Sequence, residues 1–406
     1  MIKGKDIICI SYTTWEGEFT KSTVQILSLL AKNNNVIFVE YPRTLKDLIK
    51  LFLEDKKNLA YRMLGFKKRL VKIKSTRNTD VNHLVMPPTL PINFIKNKHI
   101  YRFFSRINTH MFAETLESIC WKQKIYEPII ISAYNPTYGL GTLGKLNEVL
   151  NVYYCYDGMD LKRNHWNTIK DEKKYSKKVD AVIASSDYLK KEKQKVNKHC
   201  FAVKNGVNFE MFENHSKVKP NNNNDSKKIG YVGCLDYRFD IELMDYVIQS
   251  MPDVKFEFTG YLSNPEIAKN LSKYSNVTFF NSVKQQEVPK LLASYDAGII
   301  PYNNLEINKG IYPLKVNEYL SLGLPVVMTD FAELSEFDSI VRIAKNKEDF
   351  LKNLQTELKF DSSIKIKNRV EFAKNNSWEK RAESFGNILE IMWKQKYRNY
   401  AITNSQ

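Results

Sequence analysis

The feature that most limits how this chain can fold is an alternation. Short apolar runs recur along it, each followed by a stretch with helical spacing. In the first half they fall at 6–11, 36–40, 84–86, 129–133, 152–155, 181–185 and 201–204. In the second they fall at 229–232, 256–259, 277–280, 297–300, 325–328 and 339–343. Runs this short and this apolar suit strands buried on both faces, with the helices between them as crossovers. The expected class is α/β, with doubly wound parallel sheets.

The alternation breaks once. Asn205-Gly206 is a turn signal, and 217–228 contains Pro220 and four consecutive asparagines from Asn221. Such a tract has nothing to bury and reads as a solvated connection. Two Rossmann-like domains follow: 1–205, a linker at 206–228, then 229–377. The segment 378–406 carries one more amphipathic helix, from Trp378 to about Tyr397.

Charge narrows the partners. The 406 residues hold 62 Lys+Arg against 45 Asp+Glu, a formal net charge of +17. That excess seeks a membrane surface, a nucleic acid or a phosphorylated substrate. Much of it lies in an insertion at 43–77, where Leu48, Ile49, Phe52 and Phe66 interleave with lysines and arginines. This reads as a basic amphipathic helix of the kind that lies on anionic bilayers. A solvated helix covering a core has the same pattern. A second basic and aromatic stretch spans 94–106. No zinc-finger, helix-turn-helix or RNP-like signature supports nucleic acid, so it is not an expected partner.

No run approaches the ~20 apolar residues of a membrane span. The apolar run at 7–10 is too short for a signal-peptide core. Cys9, Cys120, Cys155, Cys200 and Cys234 are widely spaced, as buried thiols of a reducing cytoplasm would be. Neither they nor the six histidines show metal-ligand spacing.

The most informative stretch is 297–328. An apolar run at 297–300 leads into a polar loop at 303–310, and Pro313 then sits where a first helical turn tolerates it. Gly323 ends the helix, and 324–328 reads as the next strand. A strand, loop and helix start of this kind presents backbone N–H groups to anionic ligands. Lys315 and Glu318, three apart, share a helix face there. A cation beside a carboxylate suits a ligand with both phosphate and hydroxyls; a surface ion pair has the same spacing.

This wording resembles the donor-binding segment of bacterial GT-B glycosyltransferases of the clan that includes family four. The residues that carry the resemblance are Pro313-Leu314-Lys315, Glu318-Tyr319-Leu320 and Gly323-Leu324-Pro325-Val326-Val327. It implies two Rossmann-like domains facing a cleft, with the last helix crossing back onto the first domain. It implies that Glu318 holds ribose hydroxyls and that Lys315 reaches the diphosphate. Many members carry a second Glu eight positions before the first; Gly310 stands there in this chain.

Other positions join by the same resemblance. Gly233 ends a strand and Arg238 follows in a loop, like the first strand-loop of the nucleotide domain, where a basic residue pairs with Lys315 on the diphosphate. A plain strand-to-helix turn is the alternative. Asn281-Ser282-Val283 resembles the loop whose backbone reads the base. Tyr302 could contact donor or acceptor, or simply cover the sheet end. In the first half, Asp157 follows a strand and is the candidate to deprotonate an acceptor hydroxyl; a loop Asp capping a helix is the alternative. Glu16 and Gly17 lie in the loop after the first strand, which approaches diphosphate or acceptor in such enzymes. Glu172 and Asp180 fall in the matching downstream helix and strand start.

The resemblance implies transfer of a sugar from a nucleotide donor, UDP-linked, to a lipid-linked or polysaccharide acceptor, in enzymes such as those of teichuronic acid assembly. It implies no cofactor and no bound metal, since basic side chains offset the leaving charge. The expected location is the cytoplasm, peripheral on the inner face of the plasma membrane. Two other classes stay open: a nucleotide-sugar epimerase of the same fold, and a non-catalytic basic protein that binds membrane or nucleic acid.

Overall fold

The computed structural model describes residues 1–17, 21–161, 164–217 and 226–403, with side chains as far as residue 397. Glu18 and part of the expected linker, 218–225, lie outside them. The chain divides into two units, Met1–Val203 with Ala382–Gln406, and Lys204–Arg381.

The first unit runs β1 (Asp6–Ser11), α1 (Ser22–Leu30), β2 (Asn35–Val39), α2 (Leu45–Leu53), α3 (Lys57–Leu64), β3 (Leu70–Lys74), β4 (Asp80–Leu84), α4 (Lys98–Gln123), β5 (Ile129–Ala133), α5 (Pro136–Thr142), β6 (Leu150–Cys155), α6 (Trp166–Lys178), β7 (Ala181–Ala184), α7 (Asp187–Gln194) and β8 (Cys200–Ala202). Among the described residues these strands form one eight-stranded sheet, ordered β3-β4-β2-β1-β5-β6-β7-β8. Every pair is parallel except β3 with β4. Ile7, Ile8, Cys9 and Ile10 are all buried, as a strand covered on both faces requires. The strand order reverses between β1 and β5, which opens a crevice at their carboxyl ends.

The basic insertion is not one amphipathic helix. Thr44 starts α2 with a capping box, its hydroxyl accepting from the Asp47 amide while Asp47 accepts from the Thr44 amide. Asp55, at φ +56°, breaks the helical path before α3. The end of the insertion then pairs antiparallel with β4 as edge strand β3. Alternation in Leu70–Lys74 suits an edge strand better than a helix.

The second unit runs α8 (Phe209–Glu213), β9 (Lys228–Val232), α9 (Ile241–Gln249), β10 (Lys255–Thr259), α10 (Pro265–Leu271), β11 (Val277–Phe280), α11 (Val288–Ala293), β12 (Ala297–Ile300), α12 (Leu314–Ser321), β13 (Val326–Thr329), β14 (Arg342–Ala344), α13 (Lys347–Lys359) and α14 (Ser363–Asn375). Its strands form one parallel six-stranded sheet among the described residues, ordered β11-β10-β9-β12-β13-β14. The order reverses between β9 and β12. Residues 206–213, expected as linker, are instead part of this unit. Val207, Phe209 and Phe212 are buried in its core, because three large apolar groups gain more there than in water.

A last helix, α15 (Trp378–Thr403), begins in the second unit and belongs to the first from Ala382 onward. Phe385 and Leu389 are buried there, Phe385 meets Tyr154 edge-on at 5.3 Å, and the Ile2 amide donates to the Gly386 carbonyl at 3.2 Å.

The C-terminal end of α12 is fixed by a buried charge network. Gly323, at φ +72°, turns the chain out of the helix, and its carbonyl accepts from the Arg369 guanidinium at 2.8 Å. Arg369 also bonds Asp361 at 2.7 Å and Glu357 at 3.2 Å. Arg369 and Glu357 are buried and Asp361 is half-buried, so removing the cation leaves Asp361 without an ion-pair partner among the described residues and Glu357 with only Arg342 and Lys365. Arg369→Ala should destabilise the second unit by about 3–5 kcal/mol, read by calorimetry as a lower melting temperature. A loss below about 1 kcal/mol would mean that the network does not hold α12.

Candidate functional site

At the reversal in the second sheet, β9 ends at Val232 and hands over to Gly233. Gly233 has φ +146°, a conformation L side chains rarely adopt. A Cβ built on it would lie 2.0 Å from Lys315 Cε. The lysine stem of α12 therefore occupies the space a side chain would take. From there Lys315 Nζ reaches the Tyr302 hydroxyl at 3.4 Å and stands 5.3 Å from the Tyr231 ring centre.

Tyr302 follows β12 and is buried. The Arg238 guanidinium sits 5.2 Å from its ring centre, a cation–π distance. Burial would raise the Tyr302 hydroxyl pKa, but Lys315 and Arg238 outweigh it and hold it below the usual tyrosine value. Arg238 is itself oriented by Asp236, its Nε and Nη2 donating to the carboxylate at 2.8 and 2.6 Å. Despite its burial, Asp236 is held below the usual carboxylate range by Arg238. Two cations thus meet one carboxylate, leaving a surplus positive charge at the strand ends.

Two further features suit an anion with hydroxyls. Pro313 occupies the N-cap of α12, one position earlier than the sequence suggests, because its ψ of 111° is extended. It supplies no side-chain cap; the Val316 amide donates to the Pro313 carbonyl at 3.3 Å, which leaves the Leu314 and Lys315 amides at the helix start. One turn along, the half-buried Glu318 carboxylate makes no hydrogen bond among the described residues. Burial raises its pKa, and Lys315 pulls only partly against this.

Val283 follows β11, two strands from β9 in the sheet order. Gly310, where a second Glu was a possibility, ends a short 3-10 turn at Glu306–Gly310 and is buried. Asp236 was missed by sequence reasoning, although its position two residues before Arg238 was the available signal.

The remaining candidates lie in the first unit. Asp157 follows β6, and its Oδ1 accepts from the Gly158 amide at 2.7 Å. It does not cap α6; the His165 ring does, accepting from the Asn167 amide. Glu172 is buried and bound to Tyr153 and Lys193, a structural role, while Asp180 holds the Asn151 amide. Gly17 has φ +145° and lies over the Lys21 amine, which also bonds the Glu16 carbonyl.

None of Glu16, Gly17 and Asp157 lines the cavity of about 850 Å³ at the crevice by β1 and β5. Tyr12, Tyr41, Arg43, Tyr134, Tyr138 and His165 do. Tyr134 has φ +52°, unusual for a bulky residue. The one sequence signal for this cavity was that Tyr12 and Tyr134 directly follow the two strands at the reversal.

Among the described residues, no cluster of three His, Cys, Asp or Glu side chains could hold a metal ion. With the geometry in place, comparison with known proteins is informative. Residues 226–358 match the family model described as Glycosyl transferases group 1. The second unit carries a group 1 glycosyl transferase domain.

The relatives agree with this. A Bacillus subtilis protein, TuaH, provisionally named a teichuronic acid biosynthesis glycosyltransferase, is 27% identical over 168 residues. That match covers 39% of this chain and 42% of TuaH. Sucrose-phosphate synthase from Thermosynechococcus elongatus superposes with a TM-score of 0.69 at 14% identity, over 97% of this chain and 100% of its own. The α,α-trehalose 6-phosphate synthase from Burkholderia multivorans gives 0.68 at 8% identity, over 100% and 99%. Anabaena HepE, solved in complex with UDP, gives 0.63 at 10% identity, over 95% and 99%. The fold is GT-B.

The Gly233, Arg238, Lys315 and Glu318 positions all fall inside the group 1 domain. Gly233→Val should displace Lys315 and weaken binding of a nucleoside diphosphate on the order of tenfold or more, measured by calorimetric titration. Above its raised pKa Glu318 is ionised and accepts hydroxyl hydrogen bonds; as pH falls through that pKa it protonates and loses acceptor capacity. Nucleotide affinity should therefore decline toward acid with a midpoint above the ordinary carboxylate range, and Glu318→Gln should remove that limb.

Proposed function

We propose that this chain is a glycosyltransferase that moves a sugar from a UDP-linked donor to a lipid-linked or polysaccharide acceptor in cell-surface glycan assembly. The observation that carries the reading is the convergence of Lys315, Arg238 and Tyr302 above Gly233, with Glu318 one turn away and without a hydrogen-bonding partner. Two cations and open helix amides match a diphosphate. An unengaged carboxylate matches ribose hydroxyls. The UDP held by HepE and the name given to TuaH support the donor and the setting.

In the reaction, an acceptor hydroxyl oxygen bonds to the anomeric carbon as the bond from that carbon to the diphosphate oxygen breaks. Negative charge then builds on the leaving diphosphate. Lys315, Arg238 and the α12 amides offset it in place, a fixed electrostatic stabilisation. Pro313 and Leu314 set where those amides point, and the backbone near Val283 reads the base. Asp157 takes the acceptor proton, with Glu16 and Gly17 on the acceptor side. The cations perform the charge-offsetting role that a bound metal has elsewhere, so no metal is required. The protein works at the inner membrane face; no described helix is long and apolar enough to cross a membrane.

UDP should raise the melting temperature selectively over GDP and ADP, because a ligand at a hundred times its Kd stabilises the folded state by about 2.7 kcal/mol. Glu318→Ala should abolish that response and reduce transfer at least about tenfold, the loss of charge-assisted hydrogen bonds. EDTA should leave turnover unchanged. Equal responses to all three nucleotides would remove the donor assignment, and release of an epimerised sugar without acceptor would favour an epimerase.

A further inference from the structure

In the second sheet β12 leaves β9 early. It pairs with β9 only at Ala297–Ile229 and Gly298–Gly230, whereas β10 follows β9 as far as Val232. The backbone of β9 beyond Gly230 therefore needs other partners on its β12 side, because a buried amide without one is costly. A side chain supplies the first. The Val232 amide donates to the Tyr319 hydroxyl at 3.0 Å. Tyr319 lies on α12 and is fully buried, and its ring crosses β12 at Gly298, where a Cβ would stand 2.3 Å from its Cδ2. The phenol acts as a wedge. It takes the bond that a continuing β12 would have made and keeps the two strands apart at the reversal.

The far side of Gly233 is held by a second phenol. The Tyr231 hydroxyl donates to the Cys234 carbonyl at 2.8 Å. Gly233 itself is pinned toward β10. Its amide donates to the Thr259 carbonyl at 2.8 Å, and its carbonyl oxygen lies against Gly260, 2.0 Å from where a Cβ there would be. The backbone is thus clamped on both flanks of a residue whose φ of +146° only a glycine holds readily. Burial raises both hydroxyls well above the usual tyrosine pKa, so both stay neutral and neither bond titrates near neutral pH.

Two donors are left at this strand end. The Cys234 amide makes no hydrogen bond among the described residues. The Lys315 amine, one turn before Tyr319 on the same helix face, touches the Tyr302 hydroxyl and forms no ion pair among the described residues. Its stem is the group packed where a Gly233 side chain would be. A backbone N–H beside an ammonium suits the oxygens of a phosphate.

We propose that Tyr319 and Tyr231 are positioning residues of the donor site: their hydroxyls clamp the backbone on either side of Gly233, so that the Cys234 amide and the Lys315 amine bind one diphosphate. This rests on the donor reading above and extends it to groups that the ligand does not touch. Losing either hydroxyl loosens the strand end, and the amide and the amine then no longer converge.

The test uses inorganic pyrophosphate and the full chain with an isotopic nitrogen label only in cysteine, which gives five backbone amide signals. Cys234→Ser identifies the Cys234 signal by its disappearance. Pyrophosphate should move that signal and leave the other four in place, since Cys9, Cys120, Cys155 and Cys200 belong to the first unit. Lys315→Ala should abolish the movement. Tyr319→Phe and Tyr231→Phe each delete a single oxygen. Each should weaken pyrophosphate by about tenfold, titrated calorimetrically well below the melting temperature. Tyr295→Phe is the matched control: its ring packs on Gly230 in the same core, but its hydroxyl makes no bond to 232–234, and it should bind as wild type does. A merely structural role would lower the melting temperature of Tyr319→Phe and leave the affinity of the folded protein unchanged, and that result would overturn the proposal. So would pyrophosphate binding with an unmoved Cys234 signal, equal weakening by Tyr295→Phe, or no pyrophosphate binding at all. UDP melting shifts on the same samples separate the two readings. A UDP-selective shift with an unmoved Cys234 signal ends only this inference; a moved signal with equal responses to UDP, GDP and ADP ends only the UDP assignment.

Discussion

The candidate donor site depends on a missing atom. Because Gly233 has no Cβ, the Lys315 stem can lie across the end of β9, and its amine can stand beside Tyr302. Bringing a second cation, Arg238, to the same tyrosine costs like-charge repulsion, which Asp236 offsets from its far side. What is left is a positive surplus at the one place in the sheet where neighbouring strands send their chains in opposite directions. The Arg369 network holds the C-terminal end of α12, the helix that carries Lys315 and Glu318.

Much of this could be read from the residues. The segment from Pro313 to Gly323 announces a helix start and stop, and the three-residue spacing puts Lys315 and Glu318 on one face. Gly233 and Arg238 could be placed at a strand end from the apolar run before them. The partners of these residues were harder to see. Tyr302 reads equally as cover or contact until two cations are found beside it, and Asp236 looks like an ordinary turn residue until Arg238 folds back on it.

The first unit was less legible because its cavity is lined by distant pieces. Tyr12, Tyr41 and Tyr134 follow three different strands and share no spacing; only the sheet order brings them to one crevice. The basic insertion hid a break at Asp55 and an edge strand, since lysine-rich apolar text serves helix and strand alike until a partner strand decides. The expected linker failed for a different reason: its polar tract drew attention from Val207, Phe209 and Phe212, whose bulk belongs in a core.

The path of α15 sets an order of events during synthesis. Phe385, Leu389 and Gly386 complete the core and edge of a unit whose other residues leave the ribosome some two hundred positions earlier. The second unit, from Lys204 to Arg381, is finished before them. The first half to emerge is thus the last to close, and its apolar seat for Phe385 waits uncovered while the other half folds, a stage at which a nascent chain is open to chaperones or to aggregation.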